Sequence, residues 1–178
     1  MRAVPPAPLR SVLTGGPGAG KSTLLAALAA KGVPTFPEVA RAILQSSGGM
    51  AMRAERPMDF AMAMLDAELA AWHRAESGPA LYDRGFPDIA GFLELEGLAV
   101  PDKLDQICHD LRYTGPIFRA PPWRMIYAPD SERTQDWEQA VASDTAIGSA
   151  WLRYGYALID LPLAPIAERA AFVQYHLQ

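Results

Sequence analysis

Residues 15 to 22 read Gly-Gly-Pro-Gly-Ala-Gly-Lys-Ser, set between a short β-prone run, Arg10 to Thr14, and an amphipathic run over 21–31 with leucines at 24, 25 and 28. The spacing G-x-x-x-x-G-K-[ST] between strand and helix is that of a phosphate-binding loop. Glycines let the backbone curl so that successive N–H groups turn inward as an anion nest, and the helix N-terminus adds its positive end. Gly16, Gly18, Ala19, Gly20, Lys21, Ser22 and Thr23 are therefore the expected nucleotide-binding set. Lys21 is expected to reach the β- and γ-phosphates, with a side chain that faces solvent or ligand rather than packing, and Ser22 to give its hydroxyl to Mg²⁺. ATP and Mg²⁺ are the cofactors this implies.

Around the loop the chain alternates strand and helix. Further strands are expected at 33–36, 80–83, 117–119 and 156–159, and further helices at 39–45, 58–74, 88–96, 102–112, 131–153 and 165–177. The segment 46–57, with two glycines and Pro57, reads as a loop, and the stripe Phe60, Met64, Leu65, Leu69 and Trp72 reads as a buried helix face. Five β-rich segments separated by helices predict an α/β fold with a parallel sheet covered on both faces. At 178 residues the chain is expected to be one domain over 1–178, with a flexible N-terminus at 1–8 and a lid-like segment at about 120–135.

Composition narrows the function classes. Sixteen Lys and Arg against 20 Asp and Glu give a net charge of −4, no electrostatic footprint for nucleic acid. No stretch has the length of a membrane span or a signal h-region. Cys108 is the only cysteine, so an intramolecular disulfide or cysteine zinc cluster is excluded, Cys108 reads as a packed thiol, and a cytoplasmic setting is expected. The chain contains no Asn, which removes the N-K-x-D motif by which GTPases read guanine.

Ala80-Leu81-Tyr82-Asp83 is an apolar strand ending in a carboxylate, the form of a Walker B element that holds Mg²⁺, or else of a residue that caps a turn. Many mechanical ATPases place a water-activating Glu next. Here Arg84 follows, and Asp-Arg-Gly resembles the motif of nucleoside and nucleotide kinases in which the Arg handles phosphate.

Over about residues 9 to 175 the chain resembles a small family of P-loop proteins called AAA-type ATPases, related to the nicotinamide riboside kinase domain of NadR. The resemblance is carried by Gly15 to Ser22, Glu38 with Arg41, Asp83-Arg84-Gly85 with Asp88, Pro121-Pro122-Trp123, Tyr127, and Asp130-Ser131-Glu132-Arg133. The tail Tyr154-Gly155-Tyr156, Leu161-Pro162, Glu168-Arg169 and Phe172 completes it. It implies a three-layer, nucleoside-kinase-like P-loop fold with strand order 2-3-1-4-5.

It also implies roles. Lys21, Asp83, Glu38, Arg84 and Arg133 form the expected catalytic set, with Ser22 and Asp83 on Mg²⁺. Glu38, at the end of strand two, stands where related kinases carry an acidic residue for an acceptor hydroxyl. Arg41, one turn on, is expected to face the same pocket, with Arg84 and Asp88. Arg124 and Arg133 bracket the lid, and the loop 161–165 borders the base. The expected activity is ATP- and Mg²⁺-dependent phosphorylation of a small hydroxyl-bearing acceptor, such as a nucleoside. The alternative is an ATPase- or GTPase-type regulatory switch with no acceptor.

Overall fold

The structure is a computed structural model and describes residues 9–75, 79–127 and 136–178. The N-terminal segment 1–8 and Arg133 lie outside the described residues.

Strand β1 (Arg10–Thr14) runs through the middle of the sheet, and from Ser11 to Thr14 every residue is fully buried. Only a strand flanked on both edges and covered on both faces excludes water so completely. With β2 (Thr35–Phe36), β3 (Ala80–Asp83), β4 (Ile117–Arg119) and β5 (Leu158–Asp160) it makes a parallel sheet in the order β2-β3-β1-β4-β5. The register pairs Val12 with Tyr82 and Ile117, and Leu13 with Asp83 and Phe118.

Alternation along the strands sorts side chains to two faces. Val12, Tyr82 and Ile117 point to one face, under α4 (Pro57–Arg74), α5 (Phe86–Leu95), α6 (Asp102–Asp110) and α7 (Trp137–Arg153). Leu13, Leu81 and Phe118 point to the other, under α1 (Lys21–Ala29) and α8 (Ile166–His176). On the first face α5 lies close against α7, because a Cβ on Gly91 would stand 2.7 Å from the Cα of Ile147. The phosphate loop follows β1 and Asp83 closes β3, so both sit at the carboxyl edge of the sheet, where parallel α/β folds bind ligands.

The segment expected as a loop at 46–57 is helical: α2 (Val39–Gln45) is followed by α3 (Gly49–Glu55). Its glycines and proline are punctuation at the two ends of a short helix. Gly48 takes a left-handed φ of 78° to enter α3, and Pro57 opens α4, forcing Arg56 out of helical geometry. Helix α7 starts at Trp137 behind Asp136, which accepts from the Gln139 N–H at 2.8 Å while the Gln139 side chain accepts from the Asp136 N–H at 2.9 Å. The last strand begins two residues later than expected. Tyr156 instead turns into the core, where its hydroxyl accepts from the Tyr113 N–H at 3.1 Å. Among the described residues no helix is long and apolar enough to cross a membrane. Cys108 is buried, and burial pushes its thiol up to about 12, so it stays protonated.

Candidate functional site

The loop between β1 and α1 takes its shape from glycine. Gly18 and Gly20 have φ of 72° and 78°, and side chains there would meet the Tyr127 ring at 2.6 Å and the Arg169 guanidinium at 3.0 Å. Lys21 is only 4% exposed and its ammonium donates to the carbonyls of Gly15 at 3.0 Å and Gly16 at 2.6 Å. It is folded onto its own loop, contrary to the expectation of an unpacked side chain. An ammonium closed off from water is best satisfied by the nearest carbonyls, and phosphate oxygens are its natural replacement. Ser22 and Thr23, next in the helix, are exposed.

The second half of the site is a charge network built on Arg84. Its backbone has φ 75°, an unfavourable conformation for a residue with a Cβ, held in place by side-chain bonds on three sides. Nε donates to Glu38 at 2.7 Å, and Nη1 donates to the Gly15 carbonyl at 3.0 Å and to Asp88 at 3.2 Å. Burial opposes the charge of Arg84, but Glu38, Asp88 and Asp83 outweigh it and hold its pKa above the usual value. Asp88 is itself anchored: it accepts from the Thr14 hydroxyl at 2.6 Å, the Gly85 N–H at 3.0 Å and the Trp151 indole at 2.9 Å. Asp83 is 3% exposed and its Oδ1 has no hydrogen-bond partner. Burial pushes its carboxyl up to about 6, with Glu38 adding to the rise and Lys21 and Arg84 opposing it.

Two cavities flank the loop. The first, about 130 Å³, has Glu38, Arg84 and Asp88 among its polar lining and Phe60, Met64, Phe92 and Ile147 among its apolar lining. The second, about 370 Å³, lies over Gly18, Gly20 and Thr23 and is closed by Trp123, Ile126, Arg169 and the segment 164–166. Arg169 is 2% exposed, donates to the Ala19 carbonyl at 3.0 Å, and leaves Nε and Nη2 without partners.

Of the residues singled out from the sequence, Lys21, Glu38, Asp83, Arg84 and Asp88 come together. Arg41 does not line the first cavity; Arg53, from the helix read as a loop, does, with its guanidinium 5.8 Å from the Phe92 ring centroid. Arg124 is exposed and lies 5.1 Å from the Trp137 ring centroid, while its neighbours Ile126 and Tyr127 cover the loop glycines. Part of the 161–165 segment, Ala164 and Pro165, reaches the second cavity. Besides Arg53, three residues escaped the sequence reading. Asp144 on α7 accepts from the Gly16 N–H at 3.2 Å. Ser143 beside it lines the first cavity, as does Glu68 on α4. Glu68 carried a legible signal, a carboxylate four residues after Met64 on the stripe taken as core.

Among the described residues no three acidic, His or Cys side chains converge as a preformed metal site. The oxygen donors at the loop, the Ser22 hydroxyl and the Asp83 carboxylate with its unpartnered Oδ1, nonetheless suit Mg²⁺, which typically takes one or two carboxylates and completes its shell with phosphate oxygens and water.

No curated protein sequence matches the chain. Solved structures do. A deoxyadenosine kinase from M. mycoides, seen with products dCMP and dCDP, superposes with a TM-score of 0.69 at 14% identity, covering 94% of this chain and 97% of that one. The same enzyme with dATP gives a TM-score of 0.66 at 14% identity over 94% and 98%, and with dCTP 0.68 at 14% over 94% and 98%. At this identity the likeness is one of fold, the nucleoside-kinase-like P-loop architecture with its sheet order. A sequence family described as an AAA domain matches residues 10–169, from the first strand to the last helix, and the chain belongs to that family.

Proposed function

We propose that the protein is an ATP- and Mg²⁺-dependent kinase that phosphorylates the hydroxyl of a small acceptor, a nucleoside or a related riboside such as nicotinamide riboside. The observation that carries this reading is the Gly15 carbonyl, which accepts from Lys21 on one side and from Arg84 on the other. The cation suited to the γ-phosphate and the arginine at the head of the Glu38 cavity thus meet at one atom. A site for hydrolysis alone needs room for a water, whereas here a cavity with apolar walls opens beside the phosphate loop.

In this reading the triphosphate lies along the loop with its base in the cavity under Trp123 and Arg169. Lys21 leaves the Gly15 and Gly16 carbonyls for the β- and γ-phosphates, and Ser22 and Asp83 hold Mg²⁺, which neutralises phosphate charge when bound. Glu38 accepts the proton of the acceptor hydroxyl as its oxygen bonds to the γ-phosphorus. The bond from that phosphorus to the β–γ bridging oxygen breaks, and ADP leaves with the electron pair. Arg84, fixed by Glu38 and Asp88, holds the transferring group in line. Arg124 stands on the segment whose Ile126 and Tyr127 lie over the loop glycines, within reach of the transferring group's side of the loop. That the similar deoxyadenosine kinase was captured with deoxynucleotides supports a nucleoside-sized acceptor.

The test is a metabolite panel incubated with γ-labelled ATP, in which label transferred to an acceptor is scored separately from label released as phosphate. Transfer to a hydroxyl-bearing compound is expected. Release without transfer to any member, together with ATP-dependent affinity for a partner, would replace the kinase with a switch.

A further inference from the structure

Of the carboxylates gathered near Arg84, three are accounted for. Glu38 pairs with Arg84, Asp88 accepts four hydrogen bonds, and Asp83 ends the strand beside Lys21. Glu68 is different. It is 3% exposed, lines the first cavity, and no hydrogen bond to its carboxylate forms among the described residues. Neither of its oxygens is sealed off by protein in the manner of Asp83 Oδ1, so what little surface they keep is cavity surface.

The helix explains its position. Phe60, Met64 and Glu68 recur every four residues on α4 and form one wall of the cavity, apolar at Phe60 and Met64 and acidic at Glu68, which feels the charges of Asp88, Asp83 and Glu38. Phe92 and Ile147 face the apolar part from α5 and α7. The guanidinium whose charge bears on Glu68, that of Arg84, is already bonded to Glu38, Gly15 and Asp88. A buried carboxyl with no protein donor is costly by itself and well suited to a donor that arrives with a ligand. Burial, followed by Asp88, Asp83 and Glu38, raises the Glu68 carboxyl well above the usual range, as expected of such a group when the cavity is empty.

We propose that Glu68 is the specificity-determining residue of the acceptor cavity, accepting a hydrogen bond from a second donor, O–H or N–H, carried close to the phosphorylated hydroxyl by an acceptor whose remainder is a flat apolar ring. The proposal rests on the kinase reading and narrows it to ring-bearing sugars or amino sugars. Removal of the second donor leaves Glu68 buried and unmatched. A protonated amine in its place is held more tightly than a hydroxyl, because the acidic end of the cavity exceeds its cations.

The probes are ribonucleosides of the four bases with their 2′-deoxy, 3′-deoxy and 3′-amino-3′-deoxy analogues. Binding is measured by calorimetry with a non-hydrolysable ATP analogue bound, and transfer from γ-labelled ATP is measured in parallel. For wild type, deleting one of the two hydroxyls is expected to weaken binding about tenfold or more, and the amine to restore it or better. Glu68→Met should erase the differences. Glu68→Gln, which keeps one accepting oxygen, should retain the preference for hydroxyl over hydrogen while losing the advantage of the amine. Affinity for the ATP analogue should stay unchanged in both. A wild-type protein that binds the whole series equally or binds none of it overturns the proposal even if neither variant folds, as does discrimination that survives Glu68→Met. Glu68-dependent discrimination without label transfer would instead leave the proposal standing and remove the kinase reading; transfer without Glu68 dependence would do the reverse.

Discussion

The two cavities beside the phosphate loop are built from different materials. The loop under the cavity over Gly18 and Gly20 takes its shape from backbone: glycine dihedrals, with the Tyr127 ring and Ile126 laid where no Cβ stands. The cavity on the Glu38 side is defined by side chains from α2, α3, α4, α5 and α7, with an interlocked set of charges at its head. Backbone sites recognise what all nucleoside triphosphates share and tolerate sequence drift around them. Side-chain sites recognise one ligand, and each residue in them is answerable to its neighbours.

The sharpest way to break this contrast is Glu38→Gln. If the side-chain cavity serves the acceptor alone, transfer to the true acceptor falls by about 10²-fold or more while ATP affinity is unchanged, as read by steady-state kinetics and calorimetry. Equal losses in both would merge the two cavities into one site. The reciprocal change, Lys21→Ala, strikes the backbone side: Mg·ATP affinity is expected to fall by about 10²-fold, the scale of losing charge-assisted bonds to phosphate, with acceptor binding nearly intact. Calorimetric affinity equal to wild type would remove Lys21 from the phosphate site.

Asp83→Asn tests the seam through stability. Because burial first, and Glu38 second, raise the folded carboxyl to about 6, the native state binds its proton more tightly than the unfolded chain does. The stability this contributes is complete below the unfolded pKa near 4 and is lost as pH rises through 6. In the nucleotide-free protein the variant should therefore gain about 3 kcal/mol over wild type above pH 7, and nothing below pH 4, in denaturant titrations. A gain independent of pH would show that Asp83 is not the group that titrates. The smallest effect is expected from Arg41→Ala, which should change acceptor KM by less than about threefold, since Arg41 does not line the cavity that Arg53 does.

The same contrast governs what could be read in advance. The phosphate loop, the central strands and the Asp83-Arg84 pair were legible because each is written in consecutive residues whose local geometry needs little help from the rest of the chain. Helix α3 was not, because Gly48, Gly49 and Pro57 have the composition of a loop, and only their positions at helix ends show their use. Arg53 was lost with it. Asp144 reaches Gly16 across 128 positions of sequence, a contact set by how α7 docks on the sheet, which no local pattern encodes. That Arg53 lines the first cavity and Arg41 does not is set in the same way, because the direction a helix presents to a cavity depends on tertiary packing.

In the proposed kinase, the shared carbonyl of Gly15 would link the two halves of the site thermodynamically. A triphosphate that draws Lys21 away leaves Arg84 as the remaining donor at that oxygen of the pair described, and so strengthens the hold on the arginine that orients Glu38. Whatever factor nucleotide thereby adds to acceptor affinity, acceptor must add to nucleotide affinity, since both complete the same cycle of states. In the proposed kinase, whichever ligand binds first then prepares the site for the other, by the same factor in either order.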